Sequence, residues 1–316
     1  MIEVGMSGHF RLEVKNAISH RIVRVREFDN LITNQGLDAY GICNDRYLLN
    51  NCYVGTGMAQ PSVTDVGLSV PLATTSGLQE TNHIAPTAPS WISSRVNRYR
   101  FAVGTATGNI TEVGIGGENY FWSRALVLDE RGQPSPVTVL ANEYLDVIYT
   151  LRMHPNLNDI PFSFNLGGVT YNGIARPQEI QGSHISGSSN LAVNGGIVPT
   201  SGIEIFTGYR GGQLGSITQT PQNYQQSSSN FVSGYSLKEY ILGSYQRDFQ
   251  MTLGLDACNI GGIDMMTIGP RGVGNYGTIG SQLALWTQLS LDKTIPKDNT
   301  NSIQFTIRAK WARWTG

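Results

Sequence analysis

In HFRLEVK (9–15), Phe10, Leu12 and Val14 alternate strictly with His9, Arg11, Glu13 and Lys15. A period of two places the apolar set on one face of the backbone and the charged set on the other, and only an extended strand does that. IVRVREF (22–28) repeats the pattern, and NAISHR between the two turns the chain, so 9–28 reads as a hairpin. The same grammar continues through CYVG (52–55), RYRFAVG (98–104), TEVGIGG (111–117), FWSRALVLD (121–129), NEYLDVIYTLRMH (142–154), FSFNLGGVTYNGI (162–174) and SGIEIFTGY (201–209). Short apolar runs at intervals of roughly ten residues, punctuated by Gly, Pro, Asn and Ser, predict an all-β chain of sandwich or barrel type. Two short helices are expected, one over LDAYGI (37–42) capped by Thr33 or Asn34, the other over SLKEYILGS (236–244). TTSGLQETNHIAPTAPS (74–90) is polar and carries two prolines, and reads as a loop or crossing arm.

The chain divides after MHPNLNDIP (153–161). Residues 1–155 hold the N-terminal hairpin and a first β-sandwich, the anchoring or assembly domain. Residues 156–316 hold a second sandwich with a long polar arm (181–235), which is either disordered or ordered by a neighbour. The halves echo one another. G-T-A-T-G-N-I (104–110) and G-L-D-A-C-N-I (254–260) keep Gly, Asn and Ile at the same offsets. FWSRALVLD (121–129) and LWTQLSLD (285–292) follow, then YLDVIYTLR (144–152) and SIQFTIR (302–308). A duplication of one jelly-roll-like sandwich explains this order, and so does convergence within the small vocabulary of β-strands.

Charged residues make up 14% of the 316 residues, against the roughly 25% of an ordinary soluble domain. Gly, Ser, Thr, Asn and Gln fill the gap. Neutral polar surface suits contact with other protein, because a buried unpaired charge costs several kcal/mol whereas an amide finds a partner. The net charge of -1 argues against nucleic acid, whose phosphates require clustered Lys and Arg. The nearest basic cluster, Arg308, Lys310 and Arg313 among Trp311 and Trp314, reads as the polar face of a last strand. Cys43, Cys52 and Cys258 form no C-x-x-C pattern and read as free thiols, although Cys43 and Cys52 are close enough in sequence to pair. The five histidines carry no local metal motif, and no cofactor is expected. The opening MIEVGMSGHFRLEV does not read as a signal peptide, and no apolar run approaches the length of a membrane helix, so no membrane insertion is expected and folding in a cytoplasm is.

Catalytic signatures are missing. GVGNYG (272–277) spells G-x-G-x-x-G but lies among turns, without the βαβ context of a dinucleotide site. A glycosidase needs two carboxyl groups across one cleft. Asp129 with Glu130, Glu143 with Asp146, and the scattered Glu112, Glu118, Asp256 and Asp264 are the candidates. Aromatic side chains are the other signal, since they stack on sugar rings and anchor protein interfaces. Trp122 and Trp286 sit at matching places in apolar strands and read as core. Tyr209, Arg210, Tyr224 and Tyr276 read as exposed loop residues able to touch a ligand. Trp311 and Trp314 would lie on opposite sides of a strand, leaving one of them to pack on another subunit.

FDNLITNQGLDAYG (28–41), YVGTGMAQPSVTDVGLSVPLA (53–73), YRFAVGTATGNITEVGIG (99–116) and FWSRALVLDERGQPSPVTVLANEYLDVIYTLRMHP (121–155) run in an order that resembles tailed-bacteriophage tail proteins of the fibre and baseplate-associated kind. The resemblance rests on phrases of the form F-x-N-L-I-T-x-x-G-L and C-x-V-G-T-G-x-x-x-P, and covers about 28–155. It implies a non-enzymatic structural component of a virion, assembled in the host cytoplasm with other tail or baseplate proteins. It further implies a homo-oligomer, with a trimer favoured. A receptor-binding module that recognises a host surface glycan is the alternative reading, and a glycan hydrolase a third.

Overall fold

The computed structural model describes residues 2–42, 49–84, 88–117, 119–178, 203–219, 225–226, 234–270 and 286–316. Cys43, Tyr224, Tyr276, the GVGNYG stretch and most of the 181–235 arm lie outside these residues. The chain is built almost wholly of β-strands, with one α-helix among the described residues. It forms two compact units. One comprises Gly5–His154 with Ala312–Gly316, and the other Met1–Val4 with Pro155–Trp311.

The N-terminal unit contains β1 (Ile2–Asn16), β2 (Ile22–Asp29), β3 (Leu31–Ile32), α1 (Asn34–Ile42), β4 (Asn51–Gly55), β5 (Pro71–Thr75) and β6 (Leu78–Ile84). β7 (Ser93–Phe101), β8 (Gly108–Ile110), β9 (Glu112–Gly116), β10 (Phe121–Leu126), β11 (Val137–Val139) and β12 (Glu143–Pro155) follow. β2, β1, β12, β7 and β6 are consecutive neighbours in one sheet, another sheet runs β3-β10-β9-β4-β5, and β11 pairs with β8. The alternation in β1 does what its period demands. Phe10, Leu12 and Val14 are completely buried, each stabilising the fold by about 1.5–3 kcal/mol. The turn to β2 is closed by the Asn16 side chain, which accepts backbone N–H bonds from Ile18 and Ser19.

The two larger sheets meet through aromatic side chains. Trp122 of β10 donates its indole N–H to the Tyr149 hydroxyl of β12 at 2.7 Å, and Tyr149 packs on Phe10 with ring centroids 5.0 Å apart. Thr33 caps α1, its hydroxyl accepting from the Gly36 N–H at 2.9 Å. Gly36 lets the helix lie against β10, since a Cβ there would fall 2.5 Å from the Trp122 carbonyl oxygen.

The C-terminal unit contains β13 (Ile160–Leu166), β14 (Val169–Gln178), β15 (Ile203–Arg210), β16 (Gln225–Gln226), β17 (Gly234–Leu237), β18 (Gln246–Leu253), β19 (Ile263–Pro270), β20 (Trp286–Ile295) and β21 (Ile303–Arg313). One sheet runs β13-β14-β20-β19-β15-β16, and β17, β18 and β21 are consecutive hydrogen-bonded neighbours. The β13–β14 turn is Gly167–Gly168, both at positive φ, as a two-residue hairpin loop requires.

The order β3-β10-β9-β4-β5 in the first unit is matched by β14-β20-β19-β15-β16 in the second, and β6-β7-β12 by β17-β18-β21. Eight strands correspond, and their succession along the chain is the same. The echoed turn shares one backbone feature but not its first: Gly104 has positive φ, whereas Gly254 does not. Gly108 and Cys258 hold the same offset in the two phrases, and both have positive φ. The following asparagines act alike: Asn109 accepts from the Thr138 hydroxyl and Asn259 from the Lys297 ammonium, each at 2.8 Å.

Two local expectations are corrected. The 74–90 stretch is not a plain loop but includes β6 and the end of β5. Its polar residues suit an edge position, where one side of the strand stays wet. SLKEYILGS forms no helix. Ser236 and Leu237 belong to β17, paired to Gln250 and Phe249 of β18, so cross-strand pairing overrides local helix propensity.

Candidate functional site

Glu112 and Arg124 are single charges in two otherwise neutral strands, and both side chains are withdrawn from solvent. β9 and β10 form a hairpin that brings them together across the ladder. Arg124 donates to Glu112 Oε2 through Nε at 3.0 Å and through Nη2 at 2.8 Å. Its remaining donors reach Asp65 Oδ2 at 2.7 Å and the Ala59 carbonyl at 2.8 Å. Glu112 in turn accepts backbone N–H bonds from Gly57 (3.0 Å), Ser69 (3.0 Å) and Val70 (2.7 Å). Burial pushes its carboxyl up, but the N–H groups of Val70 and Ser69 and the Arg124 guanidinium outweigh it and hold the group below the usual carboxylate range.

All of these partners outside the hairpin lie on the segment from Gly57 to Val70, between β4 and β5. The buried pair is therefore a clamp for that loop. It also explains the phrase V-G-T-G: a Cβ on Gly55 would stand 2.6 Å from Glu112 Oε1, and one on Gly57 would collide with Glu112 and the Ser69 hydroxyl. The clamped loop carries exposed apolar side chains, with Met58 at 56%, Val66 at 74% and Val70 at 51% of full exposure, and Leu72 of the adjoining edge strand β5 at 44%.

The C-terminal unit uses the same place differently. Gln288 of β20 takes the position of Arg124, is fully buried, and accepts from the Gly215 N–H at 2.9 Å while donating to the Gln219 carbonyl at 3.1 Å. The loops held share a turn. In Ser62-Val63-Thr64-Asp65 and Ser216-Ile217-Thr218-Gln219, the fourth residue's N–H bonds the first residue's carbonyl, and the first residue's N–H bonds the fourth side chain. Strand register places Met265 where Glu112 stands and Tyr209 where Gly55 stands. The ion pair and its clearance become an amide and apolar bulk.

A second feature of the C-terminal unit is a cleft of 450 Å³ between its sheets. Met251, Met266, Ile268 and Leu289 form its floor, and the half-buried rings of Phe162, Phe164 and Phe305 its walls. The Asp248–Arg308 pair at its mouth is bidentate, with bonds of 2.8 and 2.9 Å.

Carboxylates do converge in the N-terminal unit, but among cations. Asp146 lies 2.8 Å from Lys15 Nζ and 2.7 Å from Arg100, while Glu13 lies 3.0 Å from the same Lys15 and 3.1 Å from Arg98. Burial pushes both carboxyls up, but hydrogen bonds from Arg100 and Lys15 to Asp146, and from Arg11, Lys15 and Arg98 to Glu13, leave both below their ordinary values. A glycosidase acid is shifted the opposite way, and here both carboxylates are paired with the cations around them. Among the described residues no group of three or more His, Cys, Asp or Glu side chains is placed to hold a metal.

The remaining expected contact residues are dispersed. Tyr209 is buried on β15 with its hydroxyl 3.2 Å from that of Thr267, so its ring offers no exposed platform. Arg210 ends the same strand, exposed, and donates to the Ile260 carbonyl. Trp311 is buried and packs 5.7 Å from the Tyr240 ring, so of the two tryptophans it is not the one left exposed. Trp314 is half exposed but engaged within its own unit. Its ring stacks on His154 at 4.5 Å with an interplanar angle of 2°, and its backbone N–H donates to the Met6 carbonyl. Arg313 beside it reaches the Ile32 carbonyl and the Asn34 side chain. The clamp was missed as a pair because its two members are twelve residues apart; the available signal was one lone charge in each of two apolar strands.

No family model, no curated protein and no solved structure matches this chain.

Proposed function

We propose that this chain is a structural component of a tailed-phage virion, in a tail fibre, a fibre attachment or a baseplate, and that it acts by assembling with other tail proteins and with itself rather than by catalysis. The observation that carries the reading is the clamped loop. A buried ion pair immobilises a surface segment whose outward side chains are Met58, Val66 and Val70. Rigid apolar side chains beside an edge strand lose little entropy on contact, and among the described residues β5 is an edge strand next to them. The resemblance to tail proteins agrees with this reading, because its phrases map onto residues with structural tasks. Thr33 caps α1, Gly36 clears β10, and Gly55 and Gly57 clear the clamp. The matched strand orders further support descent of both units from one duplicated β-sandwich.

The test is light scattering of the purified protein together with capture of the other tail proteins from the same virion. A trimer, or capture of a tail partner, is expected, and Val66→Asp with Met58→Asp should abolish association at unchanged melting temperature. A monomer that captures no tail protein, or association indifferent to both substitutions, would sink the reading.

A further inference from the structure

The two units share strand order but not core filling. Matching the last pair of each ladder, Leu145 with Phe101 and Ile303 with Leu253, places Met251 where Tyr99 stands and Ile307 where Tyr149 stands. In the N-terminal unit the two tyrosine rings are fully buried. Tyr149 bonds Trp122 across the sheets, and the Tyr99 hydroxyl donates to the Leu49 carbonyl. In the C-terminal unit both positions carry smaller, apolar, non-bonding side chains, and both line the 450 Å³ cleft.

We infer that this cleft is a binding site for a small, neutral, apolar molecule: an aliphatic chain or a fused aromatic ring system. The volume lies within the roughly 300–1,000 Å³ range of pockets that take small ligands. The floor combines two methionines with Ile268 and Leu289, and methionine adapts its shape to what it touches. Phe164 is held from behind by a stacked Tyr171 at 5.3 Å, so the wall presents a preset ring face. The one charged pair at the mouth is self-satisfied, with both Asp248 oxygens taken by Arg308, so no net charge is offered to an ionic ligand. The inference stands independently of the tail reading, because it rests on the volume and lining of this cleft.

The experiment is a fluorescence titration of the full chain with N-phenyl-1-naphthylamine, a neutral apolar probe, followed by displacement with 1-decanol. Saturable binding to one site is expected, with displacement by decanol. Met251→Tyr with Ile307→Tyr, which puts the two N-terminal tyrosines at the matching positions of the cleft, should weaken the probe at least tenfold. Should that variant fold poorly, methyl spectra of the methionines in the unaltered protein decide: Met251 and Met266 should shift with probe, while buried Met6 and exposed Met58 should not. Unsaturable binding, or Met251 and Met266 unmoved by the probe, overturns the inference. Displacement by an alternating apolar peptide but not by decanol overturns it too, and would mark the cleft as a groove for protein strands.

Discussion

The Arg124 guanidinium meets the Glu112 carboxylate at 2.8 Å where neither side chain reaches solvent. Together they hold the backbone of a loop that neither belongs to. Arg124→Met should therefore cost about 3–5 kcal/mol, because it leaves a buried carboxylate without its cation. Urea unfolding measures the loss, and limited proteolysis should show new cleavage between Gly57 and Val70 before global unfolding. An unchanged midpoint would mean that the pair does not clamp the loop.

Glycines in that loop separate clash from flexibility. Gly57→Ala should destabilise by about 1–3 kcal/mol, since the new methyl would overlap Glu112 and Ser69. Gly67→Ala meets nothing within 4 Å and has no positive φ, so it should be neutral or stabilising by about 0.4–1 kcal/mol. Thermal melts of the two variants should move in opposite directions.

Acid should act through Asp146 and Glu13. Both carboxyls titrate lower in the folded protein than in the unfolded chain, so the unfolded state takes up protons first as pH falls. Their contribution is complete above about pH 5 and is lost as pH falls through the folded values. Asp146→Asn should lower stability at pH 7 and flatten its dependence between pH 5 and 3. Parallel pH profiles for the two proteins would refute the assignment.

His154 points the same way in a higher window. Burial, then the nearby Arg152 charge, holds its pKa below 6.5, and its ring lies between the Ser7 hydroxyl at 2.8 Å and the face of Trp314. The neutral form is favoured in the fold, so its contribution is present above pH 6.5 and declines as pH drops below it. His154→Phe keeps the stack and removes the proton. Its melting temperature should fall less than that of the unaltered protein between pH 7 and 5.

The strand pattern was legible where one face is dry and the other wet. β1 could be read residue by residue because solvent on one side and core on the other impose a period of two. β6 and β17 were not read correctly. Both are edge or near-edge strands whose identity depends on a neighbour, β7 or β18, rather than on their own alternation. Phrases such as L-I-T-x-x-G-L announced a helix start because capping is local: Thr33 bonds a backbone group three residues away.

By itself, then, the amino-acid order determined the all-β class, the capped helix and the echo between the halves, all of which arise from interactions spanning a few residues or from a repeated pattern. Only the tertiary structure decided that Glu112 and Arg124 become a clamp, that Tyr209 is buried, that Trp314 lies on His154, and that the second unit keeps a cleft where the first has two tyrosines. Each depends on which strand stands opposite which. That is set by the closing of sheets over the whole chain, where a shift of register by one residue would turn every one of these side chains to the other face.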